Sequence, residues 1–240
     1  MPTTRPVVTF DVGQTLLELD AAYLAARLAS QGVVVTAAAI DAASAGAWAS
    51  YEAEIRAGGE HHPWKLLMER WLAGAGVGAG AGPGRHALVE WLWQAQPTHN
   101  LWRRPVPGMI DVVDALRGRG VVVGVVSNSE GHVAELLAEV GWGDRFAAVA
   151  DSGRLGVAKP DPGIFAWAAA ALGADPARSI HVGDSDAADV AGARAAGWSA
   201  LWFGPQAAAT RAAGAPARPG VLVAADADEV AAALATWPAA

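Results

Sequence analysis

The stretch VVTFDVGQT, at residues 7–15, decides the fold, because an apolar run of strand type ends there in a polar turn that begins with Asp11. Two later runs, VVVGVV and SIHVG, end in the same manner at Ser127 and Asp184. In an open sheet of parallel strands, ligands bind outside the carboxyl ends of the strands, so polar residues placed there converge on one crevice. Lys159, in the stretch GVAKPDP, follows no obvious strand, but we expect its loop to bring an ammonium group to the same crevice.

The part of the chain that follows Ser127 alternates between two patterns. The runs FAAVA, SIHVGD, SALWF and VLVA are typical of buried strands, and helical patterns such as GIFAWAAAALG lie between them. The stretch at 206–220 favours a loop or a poor helix. Alternation of this kind predicts a parallel sheet with helices on both faces, so the expected fold class is α/β with a doubly wound sheet.

More than a hundred residues separate Asp11 from Ser127, far more than an ordinary connection between a strand and a helix contains. Four stretches between them carry apolar residues at spacings of three and four, the pattern of amphipathic helices. The sequence therefore predicts an α/β core formed by residues 1–16 and 106–240, with an inserted all-helical domain at 17–105. Six of the eleven tryptophans fall in the insertion, and we expect them to fill its core.

The composition limits the possible functions. With 53% hydrophobic and 17% charged residues, the 240-residue chain is expected to be globular. Its net charge of -7 argues against binding to nucleic acid, which needs a basic surface. No apolar run reaches the roughly 18 residues that span a bilayer, and no cysteine is present to form a disulfide. We expect a soluble, cytoplasmic protein without a nucleic-acid or membrane partner, either a monomer or a homodimer.

The four stretches VVTFDVGQT, SNSEG, VAKPDPGIF and VGDSDAADVAGARAAG resemble the motifs of the haloacid dehalogenase superfamily. The last two are the most specific of them. The long helical insertion resembles the cap domain of the superfamily's C1-capped branch, which is rich in phosphatases. The resemblance implies a Rossmann-type core, a helical cap that selects the substrate, and a Mg²⁺-dependent hydrolase that acts on a small phosphorylated metabolite.

The roles of the acidic residues follow from that resemblance and from the chemistry of carboxylates. Asp11 is the expected nucleophile, because a carboxylate can attack phosphorus and form an aspartyl-phosphate. Mg²⁺ prefers oxygen ligands, and Asp11 and Asp184 offer two carboxylates. The resemblance implies the backbone carbonyl of Gly13 as a further ligand. Asp189 belongs to the same acidic site, where it would position metal-bound water or orient its neighbours.

The remaining site residues would bind the phosphoryl group. Ser127 and Asn128 offer a hydroxyl and backbone N–H groups at the start of a helix, which suits an anion. Lys159 is one of only two lysines, whereas arginine supplies fifteen of the 17 basic residues. A lysine retained in such a composition indicates a need for a compact positive charge, and we expect Lys159 to neutralise the phosphoryl group during catalysis.

One position departs from the family pattern. Phosphatases of this superfamily usually carry a second aspartate two residues after the nucleophile, which acts as acid and base, and this chain has Gly13 there. The departure keeps three alternatives open. They are a 2-haloacid dehalogenase-like hydrolase that needs no metal, a phosphonatase-like hydrolase that would use Lys65 in the insertion, and a metabolite-binding protein without catalytic activity.

Overall fold

The computed structural model of the chain describes residues 5–59, 63–78, 83–235 and 237. Eight strands occur within these ranges. They are β1 (Val7–Phe10), β2 (Leu17–Leu19), β3 (Trp102–Pro105), β4 (Val122–Ser127), β5 (Val149–Asp151), β6 (Ile180–Gly183), β7 (Ser199–Phe203) and β8 (Val221–Ala224).

Eleven α-helices lie in the same ranges. They are α1 (Ala21–Ala29), α2 (Ala37–Arg56), α3 (Trp64–Gly74), α4 (Arg85–Ala95), α5 (Met109–Gly118), α6 (Val133–Glu139), α7 (Ser152–Leu155), α8 (Pro162–Leu172), α9 (Ala191–Ala195), α10 (Pro205–Ala212) and α11 (Ala227–Ala235). A short 3₁₀ helix covers Pro176–Arg178, and a π-helical turn, Asp186–Val190, leads directly into α9.

Six of the strands form one parallel sheet in the order β5-β4-β1-β6-β7-β8. The chain extends the sheet from β1 in one direction through β4 and β5, and later in the other direction through β6, β7 and β8. Such a reversal creates a crevice at the carboxyl ends of the central strands. The register fixes this edge, because Phe10, the last residue of β1, pairs with Val125 of β4 and with Val182 of β6.

The sheet is the centre of the main buried core. Every residue of β1 and β6 is buried, as expected for strands covered on both faces. Helices α8, α9 and α10 contribute Phe165, Ala193 and Ala207 to an apolar cluster that includes Val7 and Val126 of the sheet. The doubly wound α/β fold predicted from the alternating pattern is therefore confirmed.

The chain divides into two compact units, residues 1–18 with 104–240, and residues 19–103. The first contains the six-stranded sheet, and the second contains α1 to α4. Strands β2 and β3 pair with each other in a separate two-stranded sheet, and both unit boundaries fall inside these strands. The ends of the insertion are thus extended, where the sequence predicted helix from about Leu17 onward, because strand pairing overrides local helical periodicity.

Tryptophans contribute to the core of the second unit, as the sequence predicted. Trp64, Trp71 and Trp102 are buried, and the Trp71 indole N–H donates to the carbonyl of Ile40 at 2.7 Å. The ring centroids of Trp64 and Trp102 lie 6.4 Å apart. Of the remaining tryptophans of the insertion, Trp48 contacts Trp71 with ring centroids 6.0 Å apart.

Residues 206–220 were expected to form a loop or a poor helix, yet α10 covers the first part of this stretch, beginning at Pro205, whose fixed φ suits the first turn of a helix. The glycine-rich stretch at 74–84, for which the sequence favours a loop, lies partly outside the described residues. His61 and His62, expected at the surface, lie outside them as well.

Candidate active site

The predicted site residues meet at one edge of the sheet. Asp11 directly follows β1, Ser127 is the last residue of β4, and Asp184 directly follows β6. Because these strands are parallel neighbours, their ends share the carboxyl edge. The loop between α7 and α8 brings Lys159 to the same place, where its ammonium group contacts Asp11. The sequence reasoning predicted this convergence.

Lys159 is held on three sides by acceptors. Its side chain is 2% exposed, and its Nζ atom lies 2.7 Å from Oδ1 of Asp11, 2.6 Å from Oδ1 of Asp189 and 2.8 Å from the carbonyl oxygen of Val126. Burial acts to lower the pKa of Lys159, but the neighbouring carboxylates outweigh it and the pKa is raised. Lys159 is therefore a fixed positive charge beside Asp11.

Asp189 is the second carboxylate that contacts the Lys159 ammonium group. Its Oδ1 atom accepts from Lys159 and lies 3.0 Å from Nε2 of His181, and its Oδ2 atom accepts from the backbone N–H of Ser185 at 2.9 Å. Burial acts to raise the pKa of Asp189, but Lys159 and His181 outweigh it and the pKa is lowered. Asp189 is thus an ionised carboxylate with protein donors on both oxygens.

The side chain of Asn128 contacts the main chain of Lys159. Its side-chain N–H donates to the carbonyl oxygen of Lys159 at 2.9 Å, and its Oδ1 accepts from the backbone N–H of Lys159 at 2.8 Å. This reciprocal pair fixes the main chain of the lysine loop against the end of β4. Nothing in the sequence indicated this contact, and the role predicted for Asn128, a backbone N–H that binds the phosphoryl group, stays a prediction.

Asp11 lies in an environment with opposing effects on its charge. Burial raises its pKa above the ordinary value, and Asp189 adds to the rise, whereas Lys159 and hydrogen bonding from Ser127 favour the charged form. Only 11% of the Asp11 side chain is exposed. Ionisation of Asp11 therefore depends on the positive charge placed against it.

The three aspartates form a group with the chemistry of a divalent-cation site. Asp11, Asp184 and Asp189 each offer one carboxylate oxygen, and these atoms lie within 4.8 Å of one another. Carboxylate oxygens are the ligands that Mg²⁺ takes from proteins. Because both oxygens of Asp189 already accept hydrogen bonds, Asp11 and Asp184 are the residues best placed for direct contact with an ion. The residues present fit Mg²⁺.

Gly13 lies in the turn between β1 and β2 and forms an isolated bridge with Leu17. The glycines with a positive φ do not include Gly13, so the backbone at this position does not demand glycine. Its neighbour Gln14 does have a positive φ, of 56°. The turn after Asp11 therefore has no side chain at position 13, where the resemblance described above leads one to expect an aspartate.

Two buried side chains that touch the site were not identified from the sequence. His181, in β6, bonds Asp189, and Trp202, in β7, donates its indole N–H to the carbonyl oxygen of Asp184 at 2.8 Å. The signal for His181 was present, because a histidine inside an otherwise apolar strand needs partners for its ring nitrogens. Trp202 gave no such signal, since the residues around it in ALWF are all apolar.

The family of the chain follows from comparison with known proteins. A profile of the haloacid dehalogenase-like hydrolases matches residues 6–197. The chain belongs to this family of hydrolases. Haloacid dehalogenase-like hydrolase domain-containing protein 3 from Bos taurus is 30% identical over 210 residues, which is 83% of this chain and 82% of that protein.

Shorter matches and solved structures complete the comparison. Phosphoserine phosphatase from Thermus thermophilus is 38% identical over 87 residues, 36% of this chain and 35% of that protein. The magnesium-bound HAD-hydrolase YfnB from Bacillus subtilis has a similar structure, with a TM-score of 0.68, 20% identity, and coverage of 97% of this chain and 99% of that one. 2-Haloacid dehalogenase from Pseudomonas syringae gives a TM-score of 0.57 at 21% identity, with coverage of 97% and 99%. At these identities the structures show the common fold.

Proposed function

We propose that this hydrolase is a Mg²⁺-dependent phosphatase that cleaves a small phosphorylated metabolite through an aspartyl-phosphate on Asp11. The observation that carries the proposal is the contact of 2.7 Å between the Lys159 ammonium and Asp11, at the edge of the sheet where Asp184 also lies. A carboxylate nucleophile, a fixed cation and a second carboxylate are the groups that phosphoryl transfer requires.

In the proposed reaction, the Asp11 carboxylate attacks phosphorus and the P–O bond to the leaving group breaks. The leaving group departs as its oxyanion and takes a proton from solvent water. Lys159 neutralises negative charge on the transferred group as a point charge, and Ser127 donates its hydroxyl to a phosphoryl oxygen. Water then attacks phosphorus, which releases phosphate and restores the carboxylate. Asp11, Asp184 and the Gly13 carbonyl would hold Mg²⁺, which neutralises charge on phosphoryl oxygens when it is bound.

The glycine at position 13 narrows the substrate class. A positioned acid and base contributes about 10²–10⁴-fold to the rate of such a step. Without it, substrates whose leaving groups need little protonation, such as acyl phosphates and aryl phosphates, are favoured. The relatives named phosphoserine phosphatase and phosphoglycolate phosphatase support a small phosphorylated substrate. We also propose that residues 19–103 are the C1-type cap, because four helices occupy the chain between the first two motifs.

The alternatives have less support in the contacts. A metal-free dehalogenase would tolerate Gly13, but it has no need of the cation site that Asp184 helps to form. A phosphonatase-like Schiff base would require a reactive amine on Lys65, whose Nζ atom instead pairs with Glu90 at 2.6 Å. A binding protein without activity would not need a buried lysine fixed against a carboxylate.

Two assays test the proposal. The first measures hydrolysis of p-nitrophenyl phosphate in the presence of Mg²⁺ and in the presence of EDTA. The second measures halide release from 2-chloropropionate without metal. We expect metal-dependent release of p-nitrophenol, no halide, and loss of turnover in Asp11→Asn. Asp175→Asn is the matched control, because Asp175 caps the short helix Pro176–Arg178 and asparagine caps equally well. Halide release without metal would establish the dehalogenase alternative, and hydrolysis that survives both EDTA and Asp11→Asn would refute the proposal.

A further inference from the structure

A buried polar pair lies behind the lysine network. His181 and Thr9 are register partners on the adjacent strands β6 and β1, and both are completely buried. The Thr9 hydroxyl lies 2.9 Å from Nδ1 of His181, and Nε2 of the same ring lies 3.0 Å from Oδ1 of Asp189. Phe165 packs edge-on against the imidazole, with ring centroids 5.1 Å apart.

The partners assign the tautomer of His181. The carboxylate of Asp189 can only accept, so Nε2 carries the proton and donates to it. Nδ1 then carries a lone pair, which accepts the hydrogen bond from the Thr9 hydroxyl. The carboxylate thus selects the ring form with the proton on Nε2, and the Thr9 hydroxyl satisfies the lone pair that this form leaves on Nδ1.

The hydrogen bond from His181 ends on the atom that holds Lys159. Oδ1 of Asp189 accepts from both, while Oδ2 accepts from the backbone of Ser185. Without the imidazole, the carboxylate of Asp189 would keep its backbone anchor on Oδ2 but lose one of the two donors that fix Oδ1. An apolar side chain would fill the same volume between the sheet and Phe165 without the need to satisfy two ring nitrogens.

We infer that His181, in its Nε2–H form and with Nδ1 satisfied by Thr9, is a positioning residue that aims Asp189, and through it Lys159, at Asp11. The inference rests on the proposed function, since it concerns the rate of attack by Asp11. The contacts run without a gap from Thr9 to Asp11, at 2.9, 3.0, 2.6 and 2.7 Å. Loss of a residue that orients a catalytic residue without touching the substrate typically lowers the rate about 10–100-fold.

Two pairs of variants test the inference by kinetics. His181→Leu removes both hydrogen bonds, and we expect kcat for p-nitrophenyl phosphate to fall about 10–100-fold with little change in KM. His181→Gln keeps a donor for Asp189 and should restore part of the loss. Thr9→Val conserves the shape and removes the hydroxyl, and should lower kcat by less than His181→Leu, whereas Thr9→Ser should retain more activity than Thr9→Val.

Ser179→Ala is the control for a purely structural effect. Ser179 is a completely buried hydroxyl just before β6, which accepts from the N–H of Val7 at 3.2 Å and donates to the carbonyl of Asp175 at 2.7 Å. It lies at the opposite end of the strand from Asp184. We expect Ser179→Ala to lower the melting temperature and leave kcat unchanged. If His181→Leu does not fold, Thr9→Val carries the kinetic test.

A second readout does not depend on activity. The ring ¹⁵N resonances of the histidines, with His181 assigned from the spectrum of His181→Gln, report the tautomer directly. We expect Nε2 of His181 to be protonated, and Thr9→Val to shift the Nδ1 resonance. A proton on Nδ1, or a normal kcat in folded His181→Leu or Thr9→Val, would overturn the inference while phosphatase activity stood. A wild-type protein inactive towards phosphate esters would overturn the proposed function, and with it the role of His181.

Discussion

The two lysines of the chain make almost the same contact in opposite surroundings. Lys159 lies 2.6 Å from Asp189 with 2% of its side chain exposed, and Lys65 lies 2.6 Å from Glu90 with 46% exposed. Water solvates the second pair and screens it, so such pairs contribute about 0–1 kcal/mol. In the first pair, removal of one partner leaves a buried charge without compensation. The distance between two charged atoms therefore says little about their importance unless the burial is given too.

The surroundings of each lysine also differ in kind. Lys65 has one carboxylate and, at 5.8 Å from Nζ, the ring of Trp93. Lys159 has two carboxylates and a carbonyl, and its own main chain is fixed by Asn128. The exposed pair of Lys65 needs only two residues, on the neighbouring helices α3 and α4. The buried arrangement around Lys159 needs side chains and backbone from four separate parts of the chain in one place. Such convergence is what a catalytic site requires.

The largest effect is expected from Lys159→Met. Loss of a fixed charge at the transferred group should lower kcat by about 10²–10³-fold, and the uncompensated carboxylates of Asp11 and Asp189 should reduce the free energy of unfolding by about 3–5 kcal/mol. Steady-state kinetics and urea denaturation measure the two losses. If Lys159→Met unfolds at the same urea concentration as the wild type and hydrolyses the substrate at the same rate, Lys159 is no more important than Lys65, and the comparison is wrong.

A gain is expected from Gly13→Asp. If Lys159 already supplies the charge for the phosphoryl group, proton transfer to the leaving group limits the reaction, and an acid at position 13 should supply it. We expect kcat for an alkyl phosphate to rise roughly 100-fold and kcat for p-nitrophenyl phosphate to rise less, because its leaving group needs little protonation. Equal effects on the two substrates, or none, would show that proton transfer is not the missing component.

A smaller loss is expected from Asp189→Asn. The asparagine keeps an oxygen near Lys159 but removes the charge that anchors it, so kcat should fall by about 100-fold, at least as far as in His181→Leu. Glu90→Gln is the matched variant at Lys65, where the same exchange of charge for amide should leave kcat as it is. Steady-state kinetics give the ratio of kcat in each variant to kcat in the wild type. Similar ratios for Asp189→Asn and Glu90→Gln would contradict the account.

The smallest effect is expected from Lys65→Met. Removal of the exposed pair with Glu90 should change the free energy of unfolding by less than about 1 kcal/mol and leave the turnover of p-nitrophenyl phosphate unchanged. Urea denaturation and the standard assay check both. Loss of activity in the folded variant would instead support the alternative in which Lys65 forms a Schiff base.

Much of the fold could be predicted because its signals are local. The runs that end in Asp11, Ser127 and Asp184 are apolar, and the rule for parallel sheets places their ends together without knowledge of the rest. The pairing of β2 with β3 was missed, because strand pairing depends on residues more than eighty positions apart. The sequence left open whether residues 206–220 form a loop or a poor helix, because alanine favours a helix whereas the glycines and prolines of this stretch oppose one; the structure has α10 in its first part.

The site could be predicted in its residues but not in its contacts. Spacing and residue type indicated Lys159 and Asp189 as site residues. The sequence left open whether Asp189 positions metal-bound water or orients neighbouring side chains. The structure shows hydrogen-bond donors at both of its carboxylate oxygens. Asn128 is engaged with the lysine loop, a contact between side chain and backbone that no motif encodes. His181 depends on a partner eight residues away across a π-helical turn, whose geometry a helical wheel does not reproduce.

The central claim is that Asp11 attacks phosphorus with Lys159 beside it. Acid quench during steady-state hydrolysis of p-nitrophenyl phosphate with Mg²⁺, followed by mass spectrometry of the peptides, tests it most directly. The account predicts a phosphorylated peptide with the modification on Asp11, absent from Asp11→Asn and from protein treated with EDTA. A phosphoryl group found on another residue, or the same labelling in Asp11→Asn, would contradict the account.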